Sequence, residues 1–520
     1  MPLNELLPKA AKLHPRQEAV VCGSTRMTYG QFAGRVWRLC AALRRIGLQR
    51  NDRVAILHEN CHVYLETYFA AAHGGLVLVP LNHRLSPKEI AVILNDSGAR
   101  ALIAQEGFRQ KVRDLKELVH NLEKVIWSSG HSPSMSVQEG TGYEEMLKNE
   151  EEIPPPELPI RDDDVAHLYY TSGTTGRPKG VMLTHKNVKS HALGTIAELH
   201  LTDRDRWFHV APLFHLADAW AIFAITWAGG RHILCPSFDP ARVLRLIAEE
   251  RITLTNLIPT MLNMMIHHPD VGKHDYSGLR VLLSGGAPIA PEVVRKIIET
   301  FRCDYIQTYG MTETSPYLTL SILKSRLQDL PPEEQLGFKA STGREFINVS
   351  LKVVNEKGGE VKRDGREVGE IIVKGDIVTP GYWNLPRETA DAIKDGWLRT
   401  GDLAVVNEEE YVTIVDRKKD MIITGGENVY STEVENVLYM HPAVLEAAVI
   451  GVPDPKWGEA VRACLVLKPG EQATEEEIIR FCKDHLAHYK APKSIRFLEG
   501  LPRTGSGKIY KKGLRDPRIQ

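Results

Sequence analysis

The stretch Tyr169-Tyr170-Thr171-Ser172-Gly173-Thr174-Thr175-Gly176-Arg177-Pro178-Lys179-Gly180 decides how this chain is read. Its last ten residues hold four hydroxyl side chains, three glycines and two cations. Hydroxyls and backbone N–H groups bond phosphate oxygens, glycines let the main chain approach closely, and Lys179 or Arg177 answers the charge of a departing group. Such a composition makes a polyphosphate cradle. Before it, Val165-Ala166-His167-Leu168-Tyr169-Tyr170 reads as a short buried strand; behind it, Gly180 to Thr184 reads as another, and a helix starts near His185. No Gly-Lys-Ser/Thr follows a glycine at Walker spacing, which disfavours a P-loop NTPase. A Gly/Ser/Thr-rich surface linker shares the hydroxyl content, but seldom sets Pro-Lys-Gly between two apolar runs.

Working outward toward the N-terminus, strand-like and helix-like pieces alternate. A helix around Gln31 to Gly47 precedes a strand at Arg53 to Leu57, a helix around Val63 to Gly74 precedes the apolar strand Leu76 to Pro80, and Ser86 caps a helix ahead of Pro87. Further strands fall at Ala101 to Ile103 and Lys124 to Trp127. Fully apolar strands alternating with helices imply parallel sheets covered on both faces. Toward the C-terminus, Trp207 to His215 ends a strand in a turn before the apolar run Leu216 to Trp227. Taken alone, His215 reads more readily as a core histidine than as the gate of an apolar pocket. Leu279 to Ser284 is a strand ending in Gly285-Gly286-Ala287-Pro288, and glycines at a strand's carboxyl end are where a doubly wound sheet places ligands. The next strand, around Asp304 to Gln307, runs into Thr308-Tyr309-Gly310-Met311-Thr312-Glu313. Here a ring can lie on a purine, and a carboxylate can hold Mg²⁺, which takes few protein oxygens and uses substrate phosphates for the rest.

The last hundred residues change character: short strands, then helices with capping boxes expected at Thr432/Glu435 and Thr474/Glu477, make a small α+β domain. Gly425-Gly426 forms a tight turn, and Pro502 to Ile509 is a glycine-flexed loop presenting Lys508. From Lys490 onward nine Lys or Arg face two acids, which suits phosphate-rich ligands.

At 520 residues the chain holds two or more domains, and 65 basic against 66 acidic residues give no global field that favours nucleic acid. Seven scattered cysteines without a CxxC pair fit reduced thiols and argue against a zinc site. The longest apolar run, near Ala219 to Gly230, is short of the roughly 20 residues a bilayer needs, so no transmembrane segment is expected. Met1 to Leu13 lacks a signal-peptide core and Arg518-Ile519-Gln520 matches no peroxisomal or prenylation signal, leaving the cytoplasm as the expectation.

These motifs, in this order from about Met27 to Lys512, resemble the adenylate-forming (AMP-binding) superfamily: acyl- and aryl-CoA synthetases, luciferases and peptide-synthetase adenylation domains. The resemblance implies a large α/β N-terminal domain with parallel, helix-covered sheets and a distorted β-barrel part over residues 1–418, then a small α+β mobile domain over 419–520, hinged at Lys419. It implies an AMP-forming acid–thiol ligase that joins a fatty, alicyclic or aryl acid to coenzyme A at the expense of ATP, with Mg²⁺, through an acyl-adenylate. The ATP site implied is Thr171, Ser172, Gly173, Thr174, Thr175, Lys179, Gly286, Ala287, Gln307, Thr308, Tyr309, Gly310, Thr312, Asp402, Arg417 and Lys508. It further implies that Lys508, Glu313, Thr175 and His215 carry catalysis and that Glu313 holds the metal. His215, Trp220, Met311 and Tyr317, with Phe223, line the acyl pocket, while Gly425 and Gly426 line the CoA tunnel. His215 falls where the CoA-ligase branch has a histidine, whereas the aspartate of the amino-acid-activating branch is matched only by Asp218, three residues late. The partner is a small carboxylic acid, and a homodimer stays open. A carrier-loading adenylation enzyme and a luciferase-like monooxygenase share these motifs and stay open as alternatives.

Overall fold

The computed structural model describes residues 2–130, 140–154, 158–172, 178–287, 289–503 and 509–515. Two large sheets carry most of the chain. The first has nine strands, of which Glu18–Cys22, Arg231–Leu234, Arg206–His209, Leu254–Leu257, Val281–Gly285 and Asp304–Gly310 run parallel. Its two edges turn antiparallel, through Thr25–Thr28 on one side and Tyr317–Leu320 with Arg344–Glu345 on the other. The second has seven strands, parallel from Thr141–Gly142 through Val165–Ser172, and closes with the antiparallel partner Pro178–Thr184. The parallel strands are apolar because helices cover both faces. In Val77–Pro80 every residue is buried, each large aliphatic contributing about 1.5–3 kcal/mol.

Local signals in the sequence account for the helix starts. Ser86 and Thr184 both close capping boxes, with Glu89 and Asn187, at the heads of Pro87–Ser97 and His185–Leu199. The second box matters for the site, since it stops the strand Pro178–Thr184 just past the phosphate loop. Asn187 also donates to the carbonyls of Asp376 at 2.8 Å and Val378 at 2.9 Å, tying that helix to a distant segment.

A third, antiparallel sheet of five strands (Val349–Val354, Gly369–Gly375, Trp397–Val406, Ile393–Lys394 and Val412–Arg417) curls as a half-barrel. The expected barrel part is therefore an open one. The final sheet, Glu427–Val429, Ile422–Thr424, Gly458–Leu467, Val444–Asp454 and Ser494–Phe497, belongs to a small C-terminal domain with its own apolar core around Val434, Val449, Ala463 and Ile478. Thr474 and Glu477 make the expected capping box. The box expected at Thr432 and Glu435 is not made. The helix begins at Ser431, whose N–H is taken by the Asp416 carboxylate at 2.6 Å, and Glu435 instead accepts from the Val449 N–H and pairs with Lys511 at 2.7 Å. A carboxylate brought in from the half-barrel strand Val412–Arg417 outcompetes a neutral hydroxyl for the helix's first donors.

Candidate active site

The strands Val281–Gly285 and Asp304–Gly310 end side by side, and the turn Thr312–Thr314 that follows packs against the strand Pro178–Thr184 and the segment 379–383. Glycine is obligatory at two points on this rim. A Cβ on Gly285 would fall 2.3 Å from Thr308 Oγ1, and one on Gly310 would fall 1.8 Å from the Pro316 carbonyl oxygen. Gly286 sits at φ +87°, a left-handed conformation that opens the turn. Gln307 holds this turn in place, donating from Nε2 to the Ala287 carbonyl at 2.9 Å while its amide oxygen accepts from Tyr305 at 2.5 Å. Thr308 hydroxyl bonds the Ser284 carbonyl at 3.1 Å, so the two neighbouring strands end in fixed register.

Beyond Gly310, Thr312–Thr314 makes a single tight turn, starting at Thr312 and burying Glu313 to 7% exposure. Burial pushes the Glu313 carboxyl above the usual carboxylate range, against the pull of the Tyr382 hydroxyl and the Lys179 ammonium. A buried carboxylate so incompletely neutralised suits a divalent cation, and among the described residues no cluster of three or more metal-ligating side chains competes with it. A lone carboxylate beside a phosphate cradle matches magnesium's habit of leaving most positions to substrate oxygens and water.

Asp402 and Arg417 face each other across adjacent strands of the half-barrel, as cross-strand partners, and Arg417 Nε lies 3.3 Å from Asp402 Oδ1. Tyr309 reaches in from the nine-stranded sheet and donates its hydroxyl to Asp402 Oδ2 at 2.7 Å. The three residues assigned by resemblance to adenine and ribose thus form one contact network. Asp402 lies within a strand, five residues beyond its start, rather than directly after the Asp395-Gly396 turn. Thr171 is cross-strand partner to Lys179. Gly173, Thr174, Thr175 and Lys508 lie outside the described residues, and Ser172 is described in its backbone alone.

Around the acyl side, Trp220 stacks edge-on against Tyr317 at 5.2 Å, and His191 joins both, at 5.6 Å and 5.3 Å between ring centroids. The Tyr317 N–H donates to His191 Nε2 at 3.2 Å, which requires a neutral imidazole; burial holds His191 down at about 3. Met311 packs against the same core, and half-buried His215 lies next to Phe214. Phe223 is elsewhere. Its ring packs on Phe69, Tyr68 and His167.

Three features escaped the sequence. Tyr382 donates to Glu313 Oε1 at 2.9 Å, while Lys179 Nζ lies 5.0 Å from the centre of its ring. Thr379 N–H binds the Glu313 carbonyl at 2.8 Å. Asp218, fully buried, starts a row of hydrogen bonds: Trp207 and His209 contact its two oxygens at 2.8 and 3.0 Å, His209 bonds His232 at 3.0 Å, and His232 bonds Thr226 at 2.9 Å. Two histidines in short buried strands, His209 and His232, were the available signal for that row. Asp218 is thereby committed to the interior.

A model of the AMP-binding enzymes matches residues 7–383, and one of the AMP-binding enzyme C-terminal domain matches 433–508. The chain belongs to the AMP-binding enzyme family. It is 39% identical to a feruloyl-CoA synthase from an Amycolatopsis species, over 97% of this chain and 96% of that one. It is 34% identical to 4-hydroxybutyrate–CoA ligase 2 of Metallosphaera sedula, over 98% and 93%. The ATP-bound crystal structure of MatB from Rhodopseudomonas palustris superposes with a TM-score of 0.87 at 29% identity, covering 99% of this chain and 98% of that one. With such kinship along its whole length, this AMP-binding enzyme is an AMP-forming acid–CoA ligase working on ATP and coenzyme A with Mg²⁺.

Proposed function

We propose that the acid this ligase activates is short or ring-bearing and carries a polar group at its far end. The observation behind this is the Tyr317 hydroxyl, which lies in a residue 3% exposed, beside Trp220, and makes no hydrogen bond to a described residue. A buried hydroxyl left unpaired costs about 1–3 kcal/mol, a cost a ligand with a matching polar atom removes. The rings of His191, Trp220 and Tyr317 supply a flat apolar wall and limit length. The name of the Amycolatopsis relative points the same way.

The chemistry follows from what a carboxylate lacks. Oxide is not a leaving group, so the acid's carboxylate attacks the α-phosphorus of ATP in line, pyrophosphate departs into the Thr171 to Lys179 loop, and CoA's thiolate then displaces AMP from the acyl-adenylate. Tyr309 faces adenine, Asp402 and Arg417 hold the ribose, and Glu313 takes the magnesium that neutralises the phosphates. Lys508 bridges carboxylate and phosphate during adenylation, a positioning and electrostatic role. The Gly425-Gly426 turn, left-handed at φ +59° and +85°, offers bare backbone to the pantetheine arm. Lys508 and that turn serve the same acyl carbon at different times, by rotation about Lys419 between domains 1–418 and 419–520. Seven buried free cysteines accord with a cytoplasmic setting, and among the described residues no helix is long and apolar enough to cross a membrane. Homodimerisation is an open part of the proposal, checked by light scattering.

The deciding test is pyrophosphate exchange across a panel of acids, with and without CoA. Hydroxylated aryl acids should lead palmitate, and Tyr317→Phe should lower efficiency toward the hydroxylated acid by about tenfold while sparing its deoxy analogue. Preference for palmitate in the parent enzyme would refute the substrate class.

A further inference from the structure

Glu313 and Lys179 carry opposite charges and approach the same buried space, yet no ion pair joins them. What stands between them is one phenol: Tyr382 hydroxyl bonds Glu313 Oε1 at 2.9 Å, and Lys179 Nζ rests over the Tyr382 ring, 5.0 Å from its centre. The backbone fixes this residue independently of its side chain. Trp383 N–H donates to the Gly180 carbonyl at 2.7 Å, Met182 N–H to the Gly381 carbonyl at 3.1 Å, and Thr379 N–H to the Glu313 carbonyl at 2.8 Å, while Tyr382 bridges Val181. The segment 379–383 is thus stitched to both the lysine's strand and the glutamate's turn. The ring also borders a groove of 470 Å³, shared with Met182, Pro380, Leu385 and Pro386, so crowding alone does not fix it.

We propose that Tyr382 is a positioning residue acting as a charge spacer, which keeps the Glu313 carboxylate for the divalent cation and the Lys179 ammonium for the nucleotide phosphates. This rests on the reading of Glu313 as the metal's carboxylate. An ammonium and a carboxylate that meet directly in a partly dry site make a strong charge-assisted bond, which ATP and the cation would both have to break. A neutral ring satisfies the cation through its face and the anion through its hydroxyl, two weaker contacts that orient each group toward its ligand without neutralising it.

Side-chain substitutions separate the two contacts, since the backbone stitches remain. Tyr382→Phe keeps the face and loses the hydroxyl; Tyr382→Leu loses both. Two binding measurements on the full chain read the outcome: Mn²⁺ affinity by electron paramagnetic resonance with ATP present, and trinitrophenyl-ATP fluorescence in EDTA. Tyr382→Phe should weaken Mn²⁺ on the order of tenfold and leave metal-free nucleotide affinity unchanged. Tyr382→Leu should weaken both, because Lys179 and Glu313 collapse onto each other. Glu313→Gln added to Tyr382→Leu should restore metal-free nucleotide affinity to within about threefold of the parent, since the lysine loses its competitor. An unchanged Mn²⁺ affinity in Tyr382→Phe, or no recovery in the double variant, overturns the spacer. If Glu313→Gln alone leaves Mn²⁺ affinity untouched, the metal assignment fails instead, and the nucleotide arm in EDTA still decides the spacer.

Discussion

Asp402 is gripped from two sides, by Tyr309 at 2.7 Å and Arg417 at 3.3 Å, and each of those comes from a different strand. Among the described residues, the Gly425-Gly426 turn, at the other end of the proposed chemistry, is held only from within the small domain's sheet, by the Thr424–Glu427 pairing and by Gly425 N–H to the Trp457 carbonyl at 2.9 Å, and nothing lies within 4 Å of a Cβ added at Gly426. The proposed nucleotide rim is held by contacts from two different sheets and the small domain's turn by its own sheet alone. A site that must hold AMP through two half-reactions gains from the first arrangement, and a surface that visits and leaves the acyl carbon gains from the second.

The contrast makes its largest claim at Lys508. Lys508→Ala should lower adenylation on the order of 10²-fold or more while sparing thioester formation from supplied acyl-adenylate, in single-turnover assays. Equal loss in both half-reactions would erase the distinction between rim and visitor. Tyr317→Gly comes next: each methylene newly accommodated contributes about 0.8 kcal/mol, so the chain-length limit should move upward several-fold in kcat/KM per carbon, with ATP affinity unchanged. A flat chain-length profile would place Tyr317 outside the acyl path.

Glu313→Gln probes how the rim is built. It should raise the magnesium needed for half-maximal pyrophosphate exchange, and it should also stabilise the metal-free protein at neutral pH. The sign follows from burial: a carboxyl raised in the folded state contributes stability below its unfolded pKa and loses it as pH rises through the folded value. The amide avoids that loss, so its advantage in thermal melts should vanish in acid, where the parent carboxyl is protonated in both states. The smallest effect is expected at Asp416→Ala, which removes the acceptor for Ser431 N–H and should cost about 1 kcal/mol, confined to the small domain in hydrogen exchange.

What could be read in advance was whatever the chain writes locally. The strands flanking Thr171 to Lys179, the Ser86 cap, the helix start near His185 and the Thr308 to Glu313 turn each depend on neighbours within a few residues. Asp402 opposite Arg417 is legible as two motifs but not as a pair, because strand register is set by packing over the whole half-barrel. Tyr382 lies 69 positions from Glu313, so no spacing joins them. Thr432/Glu435 misled for the same reason in reverse: the local pattern was sound, and Asp416, fifteen residues away from Ser431, took the donor first.

The row from Asp218 to Thr226 has a property that packing alone does not confer. A carboxylate can only accept, so His209 must offer it Nδ1–H; with one proton on that ring, Nε2 accepts from His232 Nδ1–H, and His232 Nε2 accepts the Thr226 hydroxyl proton. Burial and the neighbouring imidazole keep His232 neutral, well below its ordinary range, so that ring carries a single proton. One anion at the end of the line therefore selects both tautomers. In Asp218→Asn the amide oxygen would stay with the Trp207 N–H and the amide nitrogen would donate to His209, so the proton order of the row would run the opposite way, visible as exchanged imidazole nitrogen resonances without any change in shape.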